Sequence, residues 1–448
     1  MALILTGTMP AQVISGGGGH ALFLCTSGEV RACGYNWYGE LGDGTNVEKH
    51  APVQVSVLTG ITNVSAGLTH SMFLKNDGSV WGCGYNFEGQ LGDGSNTDRH
   101  TPVQITGLNG ITSLSAGAQH NLFVKNDGTI WSCGMNNRGQ LGNGTTVNSN
   151  VPVQITGLSG IVAVEASEWH SLFLKNDGTV WACGANGGGE LGDGTNIDKL
   201  TPIQVPSLSG IIYIAAGGER SYAIKNDGTV WGWGSNSNGE LGDGTTTSTN
   251  VPVQITFQSG ITAIAPGRYY TLFLKNDGTV WSTGRNDYGQ LGDGTTVDKI
   301  APVQITSLSG VTKIAAGVQN SYFIKSNGTT WSCGSNFNGE LGVGSTTNHS
   351  TPVQITNLCS IILSTDDEKE IQEWNVYPNP NTGVFTVVLD HPDQIPYRVE
   401  LYNSVGKLVE VCQRDTQNSQ IQVNQPAGMY FVKIITASKQ SIHRMIIN

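Results

Sequence analysis

The chain has 448 residues, 61 of them glycine, with a formal net charge of −11 and a pI near 5.2. The acidic balance and the lack of a basic stripe argue against nucleic acid as a partner, and no apolar run reaches the roughly 18 residues that a membrane-spanning helix needs. The length accommodates one large domain and one small one.

The opening residues lack the charged and apolar regions of a signal peptide. Met1 to Thr6 aligns with the PVQIT run of later units, and Gln12 to Ser15 with the strand that follows such a run, so the chain is expected to begin inside a repeat. From there a period of 50 governs the chain. One glycine recurs at Gly34, Gly84, Gly134, Gly184, Gly234, Gly284 and Gly334, and one proline at Pro52, Pro102, Pro152, Pro202, Pro252, Pro302 and Pro352. A unit of this length is one supersecondary element that cannot bury its apolar faces alone.

Within a unit, LFLK and TVWS are strand-like runs joined by Asn276, Asp277 and Gly278, a hairpin signal. The PVQIT run, opened by a proline that tolerates only an edge or a strand start, and the run from Gly260 to Gly267 supply two more strands. Seven units of four antiparallel strands predict an all-β chain whose main body is a seven-bladed β-propeller of four-stranded blades. With only strands one to three assigned near Gln12 to Cys33, the last PVQIT run, Pro352 to Thr356, is expected to complete the first blade and close the ring.

Several repeated polar positions look like chemistry and read better as architecture. His20, His70, His120 and His170 share a slot that becomes Arg220, Tyr270 and Asn320 in later units, so a hydrogen-bonding role is expected. Asp43, Asp93, Asp193, Asp243 and Asp293 sit in Gly-Asp-Gly turns where Asn143 and Val343 substitute, which fits turn chemistry and not a catalytic acid. Cys33, Cys83, Cys133, Cys183 and Cys333 share another slot and are expected to be buried free thiols, with Cys25 opposite Val30 and poorly placed to reach Cys33. The Trp81 to Trp331 series is expected to fill space between blades. No cofactor or metal is called for.

The stretch HSLFLKNDGTVWACGANGGGELGDGT, His170 to Thr195, resembles the regulator-of-chromosome-condensation repeat, with its histidine before strand two and its Gly-x-Asn-x-x-Gly-x-Leu-Gly turn after strand three. The resemblance implies the seven-bladed fold. Its members include exchange factors, ligase subunits, a photoreceptor and secreted enzyme inhibitors, so it implies no single activity.

After Leu358 the rhythm stops. Residues 1–358 are read as the propeller, 359–373 as a polar linker and 374–448 as a small β-sandwich. That last stretch resembles the C-terminal sorting domain of the type IX secretion system of Bacteroidetes, through Tyr377, Pro378, Asn379, Pro380 and Gly383, then Gly406 and Lys407, then Gly428 and Tyr430. The resemblance implies export, with the type IX machinery as a partner and a secreted or outer-membrane surface location.

Recognition is expected where the units disagree, since positions shared by all already have a structural role. The variable positions fall at the end where strand one meets strand two and strand three leaves for strand four. They are Tyr35, Trp37, Tyr38, Tyr85, Phe87, Glu168, Trp169, Glu219, Arg220, Arg268, Tyr269, Tyr270, Arg285, Asp287, Tyr288 and Phe337. Tyr, Trp and Arg are the types enriched at binding hot spots. The first expectation is therefore a non-catalytic propeller that binds an extracellular protein through this face. A glycan ligand is the second, and a glycoside hydrolase using Glu168 and Glu219 is the third.

Overall fold

The computed structural model describes residues 12–56, 58–257, 259–356 and 358 of the repeat region, and 374–377, 384–389, 397–403, 407–416, 418–435 and 440–447 of the terminal region. The chain divides into two compact units, Met1–Cys359 and Ser360–Asn448.

The first unit is a seven-bladed propeller in which every blade is an antiparallel meander of four strands consecutive in the chain. Blade 1 comprises Val13–Gly16, His20–Leu24, Val30–Gly34 and Lys49–Gln54, and blade 7 comprises Val311–Ala316, Asn320–Lys325, Thr330–Gly334 and His349–Ile355. The first strands line the axis and the PVQI strands form the rim, where their prolines leave no ladder bond unmade. Buried second-strand residues such as Leu22, Phe73 and Leu122 fill the spaces between blades.

The expected ring closure is overturned. His349–Ile355 pairs with the third strand of its own blade, Thr330 facing Ile355 and Ser332 facing Val353. Blade 1 takes its fourth strand from Lys49–Gln54. The cause is local: strands three and four of a unit are joined by an internally bonded loop, so pairing within the unit carries far less closure entropy than pairing with a strand about 300 residues away. Blade 7 instead meets blade 1 face to face. Tyr322 packs edge-on to Phe23 at 6.0 Å between ring centroids, and Ile355 and Leu358 join the same core. Gln12 Nε2 donates to Thr330 Oγ1 at 2.8 Å, and Lys313 Nζ donates to the Gln12 carbonyl at 2.7 Å. Met1 to Thr6 lies outside the described residues.

Leu24, not Cys25, stands opposite Val30; the Cys25 N–H donates to the Glu29 carbonyl at 2.8 Å because the hairpin turn begins there. Cys25 is disulfide-bonded, and its sulfur lies 3.8 Å from the Leu358 carbonyl oxygen. The five repeat cysteines and Cys412 are free thiols. Burial pushes the Cys133 thiol up to about 12, which leaves it unreactive at neutral pH. Trp81 packs against the core shared by blades 1 and 2, and its indole N–H donates to Ser79 Oγ at 3.3 Å.

The histidine slot is an inter-blade clasp. His20, His70, His120 and His170 are fully buried, and each Nε2 lies 2.9–3.0 Å from Ser71, Asn121, Ser171 or Ser221 of the next blade. Ser71 Oγ itself donates to the Glu40 carbonyl at 2.6 Å, so it accepts from His20 and fixes the Nε2–H tautomer. At Gly17 an added Cβ would stand 2.5 Å from the His20 ring, so only glycine admits the imidazole there.

The belt breaks at the junction of blades 7 and 1. Asn320 is 1% exposed, yet both its amide atoms lack a protein partner, because Ala21 stands where the other blades carry Ser, Asn or Thr. Tyr322 Oη takes over the other half of the missing residue's work by donating to the Glu340 carbonyl at 2.8 Å. In blade 5 the same arrangement coexists with Thr271, whose hydroxyl lies 3.0 Å from Tyr222 Oη. Ala21→Ser is therefore expected to stabilise the propeller by about 1 kcal/mol, the net value of one buried hydrogen bond. Urea denaturation of the two proteins checks it, and an unchanged midpoint would show that Asn320 gains nothing from the hydroxyl.

The second unit packs a three-stranded sheet containing Trp374–Tyr377, Val384–Leu389 and Asn418–Gln422 with a four-stranded sheet. The latter runs in the order Leu408–Arg414, Tyr397–Asn403, Gly428–Ile435 and Gln440–Ile447. Phe385, Val387, Val399, Leu401, Ile421, Val432 and Ile434 form its core. Of the sorting-signal residues, Tyr377 ends its first strand, Lys407 is exposed before a strand, Gly428 opens another, and Tyr430 is buried with its hydroxyl donating to the Pro426 carbonyl at 2.9 Å. Pro378, Asn379, Pro380, Gly383 and Gly406 lie outside the described residues.

Candidate functional site

One end of the propeller is built from two loops per blade. The loop after strand one and the loop after strand three are tied together: the N–H groups of Tyr35, Tyr85 and Arg285 donate to the carbonyls of Gly19, Thr69 and Tyr269 at 2.8–2.9 Å. Gly34, with φ of 104°, lets the third strand turn into this loop, and a Cβ there would lie 2.3 Å from the Gly19 carbonyl oxygen. The buried Asn36 then organises the loop as far as Val47. Its Nδ2 donates to Asp43 Oδ1 and to the Thr45 and Val47 carbonyls at 3.1–3.2 Å, while its Oδ1 accepts from Leu41 N–H at 2.9 Å. Glu40 accepts from the Tyr38 N–H at 3.0 Å. Asp43 is occupied within the turn by the Thr45 N–H and hydroxyl. The side chains between these anchors stand on a fixed platform.

What stands there differs around the ring. On blades 1 and 2, Tyr35, Tyr38, Tyr85 and Phe87 form a continuous ladder with successive centroid separations of 6.3, 4.9 and 6.4 Å. Across blades 6 and 7, Tyr288 meets Phe337 edge-on at 5.6 Å. Trp37, Phe87 and Phe337 are 70%, 67% and 61% exposed. On blade 6 Tyr269 lies between two guanidinium groups, Arg268 at 5.3 Å and Arg285 at 5.7 Å. Arg268 pairs with Glu168 of blade 4 at 3.0 Å, and Arg285 pairs with Asp287.

Two of the expected surface residues are not on the surface. Arg220 is fully buried, donating from Nη1 to the Arg268 carbonyl at 2.8 Å and from Nη2 to the Gly267 and Tyr270 carbonyls at 2.7 and 2.6 Å. Tyr270 is fully buried and donates to the Asn320 carbonyl. Both occupy the histidine slot at the start of strand two, which points into the blade interface, so they serve as clasps and no partner reaches them. Glu168 and Glu219 line different cavities, Glu168 the axial one and Glu219 the one over blade 4, although the Glu219 charge is near enough to add to burial in raising the Glu168 carboxyl. Burial raises the Glu168 carboxyl above its ordinary value despite the Arg268 guanidinium.

Two features escaped the sequence reading. Glu165 lines the axial cavity where other blades carry Ser or Ala, and burial pushes its carboxyl up to about 8. The blade 4 cavity, of about 330 Å³, brings together Asn137, Arg138, Trp169, Glu190, Asp198 and Glu219. Its signal was present as Gly187 and Gly188, where other units carry larger residues.

Family comparisons agree with this architecture. An RCC1-like domain model matches residues 145–367. Models of the regulator of chromosome condensation (RCC1) repeat match 27–74 and 77–124, and 61–90 and 111–140. A model of the secretion system C-terminal sorting domain matches 375–448. Among solved structures, human WBSCR16 is 22% identical over 73% of this chain and 94% of its own, with a TM-score of 0.67. Prp20p from Saccharomyces cerevisiae, in a study of its binding to Gsp1p and histones, is 23% identical over 77% of this chain and 87% of its own, with a TM-score of 0.66. Yeast RCC1 (Prp20) bound to Kap60 is 21% identical over 85% and 89%, with a TM-score of 0.67. At these identities the likeness shows the fold. No curated protein sequence matches the chain.

Proposed function

Starting from the premise that this chain belongs to the RCC1-like propellers and carries a type IX secretion sorting domain at its C-terminus, we propose that it is a non-catalytic recognition protein. It is exported to the cell surface or beyond and binds a protein partner through the aromatic arc of blades 6, 7, 1 and 2. The observation that carries the reading is the contiguity of the rings. A four-ring ladder joins blades 1 and 2, a two-ring pair joins blades 6 and 7, and Trp37 is exposed on the same loop as Tyr35 and Tyr38. All stand on loops organised by buried Asn, and wide aromatic anchors are what a protein interface concentrates.

A glycan is the competing ligand, since exposed rings also stack on sugars. Full-length chain probed on a glycan array, and immobilised to capture proteins from the native community, separates the two. Protein capture that Trp37, Phe87 and Phe337 support is the expected result. Glycan binding lost with the same side chains would replace the protein reading.

Export rests on the second unit. Ending the chain at residue 373 is expected to abolish surface or medium protein and hold it in the periplasm, measured by cell fractionation. Unchanged export would remove the machinery from the list of partners.

A further inference from the structure

Blade 4 leaves empty what blade 6 fills for itself. At the positions after the glycine that ends strand three, blade 6 carries Arg285, Asp287 and Tyr288, and blade 4 carries Ala185, Gly187 and Gly188. Neither blade 4 glycine is demanded by the backbone. Both lie outside the left-handed region, and a Cβ added at Gly187 meets nothing within 4 Å. The missing side chains open the cavity of about 330 Å³.

The ring at the same repeat position makes the comparison sharper. In blade 6 it is Tyr269, covered by the guanidinium groups of Arg268 and Arg285, each also held by a carboxylate. In blade 4 it is Trp169, and among the described residues no cation stands over it. A different set of carboxylates, Glu190, Asp198 and Glu219, lines the cavity. Asp198 is answered by Arg138 at 3.3 Å. Glu190 accepts from the Gly188 N–H at 2.8 Å. Glu219 is exposed, and no hydrogen bond or ion pair from the described residues engages its carboxylate. An indole wall beside carboxylates that outnumber the cations suits a planar cation, which gains from the ring face and the charge together. A neutral sugar can stack on the ring and donate hydroxyl hydrogen bonds to the carboxylates, but it brings no charge to answer theirs.

We propose that the blade 4 cavity receives an arginine side chain of the protein partner, its guanidinium lying on Trp169 and paired with Glu219. The inference rests on the protein-partner reading and supplies the chemistry of one contact within it.

The test uses the full chain and a probe smaller than any partner. Indole N–H signals of the protein are followed by NMR while N-acetyl-arginine amide, N-acetyl-citrulline amide or methyl glucoside is added, with Trp169→Phe assigning the relevant peak. The arginine probe is expected to shift that peak saturably, at least fivefold more tightly than its neutral citrulline isostere, and Glu219→Gln is expected to remove the preference. Ala185→Arg combined with Gly187→Asp copies blade 6, and is expected to abolish the response while leaving the other indole peaks in place. No shift with the arginine probe, an equal shift with citrulline, or a shift with the glucoside alone would overturn the proposal. The response is expected to survive loss of Trp37, Phe87 and Phe337, so its failure is distinguishable from failure of the aromatic arc.

Discussion

Replacing Trp37, Phe87 and Phe337 together with alanine is expected to weaken binding of the captured protein partner by a hundredfold or more, with little change in melting temperature. The two halves of this expectation have separate causes. Each ring is at least 61% exposed, so truncation removes little that folding buried. At an interface, a buried aromatic anchor costs about 2 kcal/mol or more when truncated, and every ~1.4 kcal/mol is tenfold in affinity. Three anchors that share a patch are not additive, which is why the expectation is set near two to three decades. Calorimetric titration of the partner into both proteins checks it. A loss below tenfold would move the interface off the arc. Substituting Val147, Ile197 and Val297, which are exposed on the loops before strand four, is the control expected to leave affinity unchanged.

The second large effect concerns acid. Burial lowers the imidazolium pKa of His120 to about 3, with the neighbouring His170 and His70 adding to it, and burial likewise lowers His20 and His170 to about 3 and His70 to about 4. In each ring Nε2–H is spent on the next blade, and Nδ1 has no partner on which to place a second proton. A folded pKa below the unfolded 6.5 means that the unfolded chain binds the proton first. The contribution is therefore full above pH 6.5 and is lost as pH falls from 6.5 towards 3.

Buried glutamates oppose this trend. Burial pushes Glu40 and Glu190 up to about 7, so their folded forms take up protons before the unfolded chain does and gain stability over part of the same range. The net acid profile mixes the two, and a difference measurement isolates the histidine. His120→Asn places in blade 3 the residue that blade 7 already carries at Asn320. It is expected to be less stable than the parent at pH 7, and to lose on the order of 3 kcal/mol less between pH 7 and pH 4, since each pKa unit is worth about 1.4 kcal/mol. Urea midpoints at the two pH values measure this. Parallel losses in parent and variant would show that the clasp does not titrate as its burial implies.

Much of this was legible in the chain itself. The 50-residue period, the hairpin at each Asn-Asp-Gly and the proline within each outer strand predict a four-stranded unit, because these signals act over a few residues. The substitution of His by Arg, Tyr and Asn in one slot correctly marked a hydrogen-bonding role, but the same reasoning set Arg220 and Tyr270 on the binding face. A slot that admits chemically different residues looks variable, and variability alone does not tell a surface residue from an interior one. Only the geometry of the second strand, whose first residue turns into the blade interface beside a glycine, separates the two.

The wheel, the number and composition of its wedges, and the sorting domain that follows it in the chain were readable from residue order, since each arises from pairings between residues close in the chain. The tertiary structure decided how the ring closes, which rings touch across blades, and that two glycines in blade 4 leave room where blade 6 has none. Those outcomes depend on the distance and rotation between neighbouring blades, which bring together side chains about 50 residues or more apart, and no local pattern encodes that placement.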